Sequence, residues 1–281
     1  MAQSGSPVPQ KIALTGSPNS VAVRTSDGAV YLTDDTTNAI LASSDLNYFA
    51  SYASIPAVDG QRNSLSQIAV TADGQLLVAR FGFGTASAIF NVDTTGRATL
   101  ASNTNPGRRR LGLLVLNQTE ILSSWFVKSG SDPAQGGVSL VTRGAAMDQG
   151  TERDLVVGLG KPVGLAMVGD TLFISDQTNN RIVKLDLPVA LSAHAPVMAN
   201  DIFANVAAPD LMAAAPDGTL YTKCGDHALC RFSPTGEATA VASDFDEPRG
   251  VAVDPVRKRL LAVDRAGSAG GPSYLRVLPI N

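Results

Sequence analysis

Asp210 and Arg249 are the residues of this sequence best suited to acid–base chemistry. Each follows a proline, Pro209 or Pro248, at the start of a short segment that contains apolar residues. A carboxylate can give and take a proton, and a guanidinium can polarise a carbonyl group or hold an anion. We therefore expect Asp210 and Arg249 to be catalytic. A simple ion pair between the two is the structural alternative.

Further arginines and aromatic residues could bind a substrate beside that pair. Arginine captures a carboxylate or a phosphate with two parallel hydrogen bonds, and aromatic rings form apolar pocket walls. Trp125, the only tryptophan, is expected to line such a pocket together with Phe126, near Phe81 and Phe83. The residues predicted to bind substrate are Asn19, Ser66, Arg80, Arg110, Trp125 and Phe126.

Other catalytic chemistries have little support in the sequence. A Ser-His-Asp triad would need His194 or His227 as its base, and no Gly-x-Ser-x-Gly motif is present. No glycine-rich loop between a strand and a helix predicts a phosphate site. Cys224 and Cys230 are too few for a structural zinc site. They form either a short-range disulfide or two buried thiols.

The composition of the chain limits its size class and its partners. Of its 281 residues, 44% are hydrophobic and 17% are charged, with a formal net charge of -3. Such a length suits two ordinary domains or one large all-β domain. The only dense basic cluster, 108–110, is too small to bind a polyanion, so we expect neither a nucleic-acid nor a membrane partner.

The segment 1–7 is typical of a mature N-terminus and predicts export to the periplasm or the exterior; a cytoplasmic location is the alternative.

A degenerate repeat with a period of roughly 40–50 residues organises the chain, which predicts stacked or radial units. Each copy contains an apolar strand, a turn, a second strand and a third strand. Asp-Gly, the strongest short hairpin signal, forms the first turn of three copies, at Asp27, Asp73 and Asp217. The six copies begin near Pro18, Ser66, Leu111, Pro162, Pro209 and Pro248.

Each copy except the last is expected to end in a fourth, outer strand. The segment Lys11–Leu14 precedes the first copy and would pair with the last one, which removes a free sheet edge. The prediction is an all-β fold, a six-bladed β-propeller of four-stranded antiparallel blades. It forms a single domain over 1–281 with a flexible lead over 1–10. No helix is expected, and Val189–Ala193 is interpreted as a connection between blades.

The fourth copy carries the clearest motif. Pro162, Gly164, Asp176 and the Asn-Asn-Arg-Ile segment 179–182 resemble the NHL repeat. More widely, the chain is similar to six-bladed propellers of the senescence-marker-protein/gluconolactonase and strictosidine-synthase-like groups. Members of these groups include lactonases, lyases, cyclases and non-catalytic scaffolds. The resemblance therefore implies a fold but no single activity.

The propeller fold predicts two rings of residues around one mouth of the central channel. The first strand of each blade lines the channel, and the second strand returns to the same face. The inner ring is predicted to be Asn19, Ser66, Leu111, Val163, Asp210 and Arg249. The second ring is predicted to be Asp34, Arg80, Trp125, Asp176, Cys224 and Asp264. The aspartates of the second ring are expected to cap their own loops.

The resemblance to the gluconolactonase group also implies a metal site, which this sequence does not match. In that group a Glu, two Asn and an Asp at the channel mouth hold a divalent ion. The corresponding positions here are Asn19, Leu111, Val163 and Asp210, and only Asp210 is retained. We therefore predict no metal and no cofactor.

These residues predict a monomeric, small-molecule-binding propeller that acts as a metal-independent enzyme of lactonase, lyase or cyclase type. Its ligand is expected to be partly apolar and to carry an anionic or carbonyl group. A protein-binding scaffold is one alternative, and a metal-dependent gluconolactonase-like hydrolase with differently supplied ligands is another. An enzyme should hold Asp210 and Arg249 in a deep pocket, whereas a scaffold should expose apolar patches at a shallow mouth.

Overall fold

The structure, a computed structural model, describes residues 9–61, 64–82, 84–102, 104–144, 150–268 and 270–280. Within these residues the chain is nearly all β and folds into six small sheets, the blades of a propeller, as the repeats predict. Most of the predicted lead, 1–10, and Phe83 lie outside the described residues, and Gln10 already belongs to a strand. No helix of this described part is long and apolar enough to cross a membrane.

The strands follow one another blade by blade, and the first strand of each blade lines the central channel. After β1 (Gln10–Leu14), blade 1 consists of β2 (Pro18–Arg24), β3 (Ala29–Asp34), β4 (Ala39–Ser43) and β5 (Ala50–Ser54). Blade 2 consists of β6 (Ser64–Val70), β7 (Leu76–Phe81), β8 (Ala88–Val92) and β9 (Ala98–Leu100), with a short 3-10 turn at Gly84–Ala86. Blade 3 consists of β10 (Arg109–Val115), β11 (Glu120–Val127), β12 (Gln135–Thr142) and β13 (Thr151–Leu159).

The second half of the chain forms the other three blades. Blade 4 consists of β14 (Pro162–Val168), β15 (Thr171–Asp176), β16 (Arg181–Asp186) and, after α1 (Leu187–Ser192) and β17 (Val197–Met198), β18 (Ile202–Asn205). Blade 5 consists of β19 (Met212–Ala214), β20 (Leu220–Lys223), β21 (Leu229–Phe232) and β22 (Ala238–Ala242). Blade 6 consists of β23 (Glu247–Asp254), β24 (Arg259–Arg265) and β25 (Ser273–Pro279).

The ring of blades closes through β1. This strand pairs antiparallel with β25, from Gln10 opposite Val277 to Leu14 opposite Ser273, and so becomes the fourth strand of blade 6. The pairing covers an edge whose backbone groups would otherwise be free. The closing strand predicted at Lys11–Leu14 is therefore confirmed.

The hydrophobic core lies between the blades. Six clusters of buried apolar residues are present in the described chain, and each joins two neighbouring blades. Tyr31 of blade 1, for example, packs in one cluster with Leu76 and Phe90 of blade 2. Because both faces of a blade are covered, its inner strands are apolar along most of their length.

A β-bulge interrupts the first strand near the channel mouth in five blades. There the register shifts, so that two residues of the first strand lie opposite one residue of the second. In blade 4, Val163 and Gly164 of β14 both lie opposite Ser175 of β15. The inner-ring residue is the first of the two bulge residues in each of these blades. In blade 5, β19 begins beyond this point, at Met212.

Hydroxyl groups on the second strand fix three of these five bulges to the next blade. The Ser175 hydroxyl accepts a hydrogen bond from Gly164 N at 2.6 Å and donates to the carbonyl oxygen of Asp210 in blade 5 at 2.8 Å. Thr33 of blade 1 and Ser124 of blade 3 make the same pair of bonds to their own bulge and to the following blade. The inner-ring positions of neighbouring blades are thereby held at fixed separations.

The segment between β16 and β18 differs from the prediction. We expected no helix, but α1 forms there, so the interpretation of Val189–Ala193 as a plain connection is wrong. Asp186 caps the helix by accepting a hydrogen bond from Val189 N at 2.9 Å, and Pro188 lies in its first turn. In addition, β17 pairs in parallel with β13 and adds a fifth strand to blade 3.

Cys224 and Cys230 form a disulfide, with their Cα atoms 5.7 Å apart. Of the two alternatives that the sequence leaves open, the structure therefore has the cross-link. It joins the residue that follows β20 to the second residue of β21.

Ser175→Ala should lower the free energy of unfolding by roughly 1–3 kcal/mol, because it leaves the buried N–H of Gly164 without its acceptor and removes one of the two hydroxyl donors to the carbonyl oxygen of Asp210. Urea denaturation followed by circular dichroism measures this change. Ser192→Ala is the matched control: the Ser192 hydroxyl is exposed on α1 and bonds only within that helix. Equal stabilities of the two variants would contradict the role assigned to the Ser175 hydroxyl.

Candidate functional site at the channel mouth

Arg249 joins three blades at the channel mouth through its guanidinium group. Its Nη1 lies 2.9 Å from Oδ2 of Asp210 in blade 5, and its Nε donates to Oδ1 of Asn19 in blade 1 at 2.9 Å. Asp210 and Asn19 are 2% and 4% exposed, and the Arg249 side chain is 22% exposed. The ion pair anticipated as the structural alternative for Asp210 and Arg249 is therefore present, largely shielded from water.

Both partners of Arg249 are held from their other side. Asn19 donates from Nδ2 to the carbonyl oxygen of Leu65 at 2.7 Å, and Asp210 accepts at Oδ1 from the backbone N–H of Leu211 at 2.9 Å. The contact between Nη1 and Oδ2 lacks the alignment of a hydrogen bond, and Oδ2 makes no hydrogen bond to a described residue. Nη2 of Arg249 likewise makes none within the described chain. Asp210 Oδ2 is thus a buried acceptor whose only described contact is the Arg249 guanidinium, and Nη2 of Arg249 is a donor without a described partner.

The inner ring is polar on one side and apolar or small on the other. Asp210, Arg249 and Asn19 come from blades 5, 6 and 1, which are neighbours in the closed ring. Blades 2, 3 and 4 contribute Ser66, Leu111 and Val163. A ligand that spans the mouth would therefore meet charged groups along one half only.

Further charged residues surround Arg249 on its outer side. Glu247 accepts from Arg249 at 3.3 Å and from Arg265 at 2.8 and 3.0 Å. Burial raises the pKa of Glu247, but the hydrogen bond from Arg265 and the positive charges together outweigh burial and hold that pKa below its ordinary value. Asp35 lies 3.8 Å from Arg265, and burial raises its pKa in spite of its hydrogen bonds.

Two lysines that the sequence analysis missed stand beside this network. Lys161, just before β14, donates from Nζ to Oε1 of Gln177 at 2.7 Å. Burial lowers its pKa; Asp210 opposes this shift, whereas the positive charges of Arg249 and Lys223 add to it. Lys223, the last residue of β20, is 9% exposed and has neither a hydrogen bond nor an ion pair with any residue that the structure describes.

Arg80 and Arg110 do not offer their guanidinium groups to a ligand, which corrects the prediction that they bind substrate. Arg80 is 4% exposed and donates to the carbonyl oxygens of Ala86, at 2.6 Å, and Pro56. Arg110 is fully buried, and its Nη2 lies 2.7 Å from Glu152. Both guanidinium groups are therefore buried inside the protein and do not face the mouth.

Trp125 lines a cavity, but this cavity belongs to blade 3 and not to the channel mouth, where Trp125 was predicted to bind substrate. It has a volume of about 470 Å³ and includes Arg108 and Val157 but no inner-ring residue. The indole packs against the backbone of Gly137, its partner on β12, and the Arg108 guanidinium lies 3.8 Å from its ring centroid. The ring is therefore directed along the blade and away from the channel.

Phe126 lies close to Lys161. Its ring stacks on that of Phe81, with the centroids 6.1 Å apart, and Nζ of Lys161 lies 5.7 Å from its centroid. The Arg109 guanidinium lies 5.4 Å from the same centroid. Phe126 thus forms an apolar wall on the same side of the mouth as Leu111.

Asp34, Asp176 and Asp264 bind their own loops, as expected. Each accepts a hydrogen bond from the backbone of the loop that enters its own blade, at 2.7, 3.0 and 2.8 Å respectively. All three side chains are buried. These bonds fasten the end of each second strand to the start of its first strand, so the aspartates shape the mouth without facing it.

The mouth does not fit a divalent metal ion. No group of three or more His, Cys, Asp or Glu side chains that could hold one occurs in the described chain. Leu111 and Val163 have no ligand atom in their side chains, and the oxygens of Asn19 and Asp210 face the Arg249 guanidinium. A hard divalent ion needs several converging oxygens, whereas here a guanidinium already contacts both.

Arg249→Met should lower the free energy of unfolding by about 3 kcal/mol, because it leaves the carboxylate of Asp210 buried without its partner. Urea denaturation measures the loss, and adding Asp210→Asn to Arg249→Met should recover most of it. Arg24→Met is the control: it breaks an ion pair whose side chains are 26% and 51% exposed and should cost less than about 1 kcal/mol. A loss in Arg249→Met no larger than in Arg24→Met would contradict this assignment.

Solved structures share the fold of this chain. A gluconolactonase from Xanthomonas campestris is 16% identical with a TM-score of 0.73, over 96% of this chain and 89% of that one. A luciferin-regenerating enzyme is 12% identical with a TM-score of 0.73, over 98% and 96%. Regucalcin from Agrobacterium tumefaciens, a calcium-binding protein, is 15% identical with a TM-score of 0.69, over 96% and 92%. No protein-family model and no curated protein matches the chain. The similarity establishes the fold, the six-bladed propeller seen in gluconolactonase and regucalcin.

Proposed function

We propose that the protein is a metal-independent enzyme of lactonase type that hydrolyses a small carbonyl-bearing molecule at the channel mouth. The observation that carries this proposal is the Arg249 guanidinium, held between Asn19 and Asp210 at 2.9 Å from each. Among the lactonase, lyase and cyclase reactions compatible with the fold, lactone hydrolysis is favoured by the similarity to a gluconolactonase.

Arg249 is suited to stabilise the negative charge that forms on the carbonyl oxygen of a lactone. When water attacks the carbonyl carbon, the carbonyl oxygen becomes an oxyanion, and a donor already in place lowers the barrier. Nε and Nη1 of Arg249 are fixed by their protein partners, and Nη2 has none within the described chain. Nη2 is therefore the group assigned to the oxyanion.

Asp210 is the base assigned to the attacking water. Its Oδ2 makes no hydrogen bond to a described residue and lies beside Nη1 of Arg249, so base and oxyanion donor are adjacent, as attack on a carbonyl requires. Oδ2 takes the proton of the water as its oxygen bonds to the carbonyl carbon. The bond from that carbon to the ring oxygen then breaks, and the proton passes to the ring oxygen. The product is the hydroxy acid.

The apolar half of the mouth accounts for the rest of the substrate. Leu111 and Val163 in the inner ring, together with Phe126, contribute apolar side chains to blades 3 and 4. A ligand with an apolar portion would gain from covering this surface, while its carbonyl group meets the polar half. We therefore propose a partly apolar substrate.

The proposed metal independence rests on the guanidinium as a fixed cation. In a metal-dependent site a divalent ion would polarise the carbonyl oxygen of the substrate. Here the Arg249 guanidinium supplies the positive charge, and it contacts the side-chain oxygens of Asn19 and Asp210.

A protein-binding scaffold is less well supported. The large apolar residues that are exposed in the described chain all lie outside the two rings: Tyr48, Leu100, Met167, Val189, Met198, Ile202 and Val256.

A panel of γ- and δ-lactones, with acid release followed in a pH-stat, tests this function. Arg249→Lys and Asp210→Asn should each lower kcat/KM by about 10²–10³-fold, since each removes a transition-state contact. Arg24→Met should match the unmodified protein, and activity should survive dialysis against EDTA. Failure to hydrolyse any lactone would contradict the reaction class, and loss of activity on chelation would contradict metal independence.

A further inference from the structure

Blade 3 departs from the repeat at Trp125. This residue lies opposite Arg110 beside the bulge, at the register position where blade 1 has Asp34 opposite Pro18. Asp34 accepts a hydrogen bond from the loop that enters its blade, whereas an indole can only donate. Trp125 therefore cannot fasten the loop that enters blade 3 in the same way.

Arg108 holds that loop instead. Its Nη1 and Nη2 donate to the two carboxylate oxygens of Asp154 at 2.6 and 2.8 Å, and its Nη1 also donates to Glu152 at 2.9 Å. Glu152 pairs in turn with Arg110 at 2.7 Å. Two guanidinium groups and two carboxylates thus compensate one another. The Arg108 guanidinium, 3.8 Å from the ring centroid of Trp125, brings no uncompensated charge to the indole.

The cavity beside the indole has the size and the walls of a small-molecule site. Its volume of about 470 Å³ lies within the range of ligand pockets, which are mostly apolar and contain few polar groups. Apolar side chains come from Trp125, Val127, Val157 and Leu159, at the ends of three strands of blade 3. None of the described residues that line the cavity belongs to the inner ring. The cavity is therefore separate from the channel mouth.

The indole of Trp125 also carries an unsatisfied donor. Trp125 is 8% exposed, and its buried Nε1 makes no hydrogen bond to any residue of the described chain. Buried donors in folded proteins nearly always have a partner, and each exception requires an explanation. Because Trp125 lines the cavity, a molecule bound there could supply the missing acceptor.

We propose that the cavity of blade 3 binds an uncharged, mainly apolar molecule that accepts a hydrogen bond from Nε1 of Trp125. The apolar walls favour an apolar body, and the compensated charge of Arg108 gives an anion no advantage. This is a second binding site, and it does not depend on the lactonase function proposed for the channel mouth. Failure to hydrolyse lactones would leave it untouched.

The test uses three probes of similar size: acetophenone, which is neutral and has a carbonyl acceptor; ethylbenzene, which lacks the acceptor; and benzoate, which is charged. Trp125 is the only tryptophan, so a saturable change in tryptophan fluorescence reports on this cavity, and isothermal titration calorimetry gives the Kd. Acetophenone should bind most tightly, ethylbenzene more weakly and benzoate least. No saturable binding of acetophenone, or equally tight binding of benzoate, overturns the proposal.

Trp125→Phe tests the hydrogen bond, because it keeps an aromatic ring and removes the donor. Measured by calorimetry, the Kd of acetophenone should rise about fivefold, while that of ethylbenzene should change little. A merely structural role of Trp125 would weaken the binding of both probes equally, and that result overturns the proposal. Because the two probes are compared within one variant, a general loss of stability does not mimic the expected result.

Val127→Phe and Val157→Phe test the location, since each adds volume to a wall of the cavity. Each should abolish the binding of both probes. Val256→Phe is the matched control: Val256 is 66% exposed, lies in the turn between β23 and β24, and its variant should bind as the unmodified protein does. Circular dichroism identifies the variants that fold. Unchanged Kd values in a folded Val127→Phe or Val157→Phe variant place the probe elsewhere and overturn the proposal.

Discussion

In five blades a β-bulge forces two residues of the first strand to lie opposite a single residue of the second. A bulge turns side chains out of the regular alternation of a strand, and here it does so at the end of the strand that meets the channel mouth. The hydroxyl of Ser175 ties the bulge of blade 4 to the carbonyl of Asp210 in blade 5. Thr33 and Ser124 make the same bonds in blades 1 and 3. In these three blades the bulge is therefore tied to the next blade, which orders the neighbouring inner-ring positions.

The charges at the mouth are arranged so that some groups satisfy one another and others do not. Arg249 and Asp210 neutralise each other, and Glu247 is shared by Arg249 and Arg265. Buried ion pairs contribute little net stability, because desolvation opposes the attraction. Their benefit lies in orientation, since a guanidinium held at two nitrogens presents its third in a fixed direction.

The sequence was sufficient for the fold because the repeat recurs in each blade. Apolar strands, Asp-Gly turns and the aspartate at the end of the second strand depend on local backbone geometry, which spacing reveals. The helix α1 was missed although its signal, Asp186 followed by Pro188, is present. The signal is short, and it lies in a connection whose length and composition suggested only a loop.

The site was predicted less well, because ring position does not determine where a long side chain ends. Arg80 and Arg110 were assigned to the mouth by position, but their side chains turn into the protein and meet carbonyl groups or Glu152. Lys161 and Lys223 were overlooked because they lie beside the predicted ring positions and not at them, Lys161 two residues before Val163 and Lys223 one residue before Cys224. A lysine side chain is long enough to cover that distance, and nothing in a single sequence distinguishes it from a solvated surface lysine.

The asymmetry of the inner ring explains why the best copy of the repeat is not the centre of the chemistry. Blade 4 matches the motif most closely, and its inner-ring residue is the apolar Val163, while the polar triad of Asp210, Arg249 and Asn19 comes from blades 5, 6 and 1. Six equivalent positions are filled with unlike residues, so one half of the inner ring is polar and the other is apolar or small. A ligand with both kinds of surface can then bind in one orientation only.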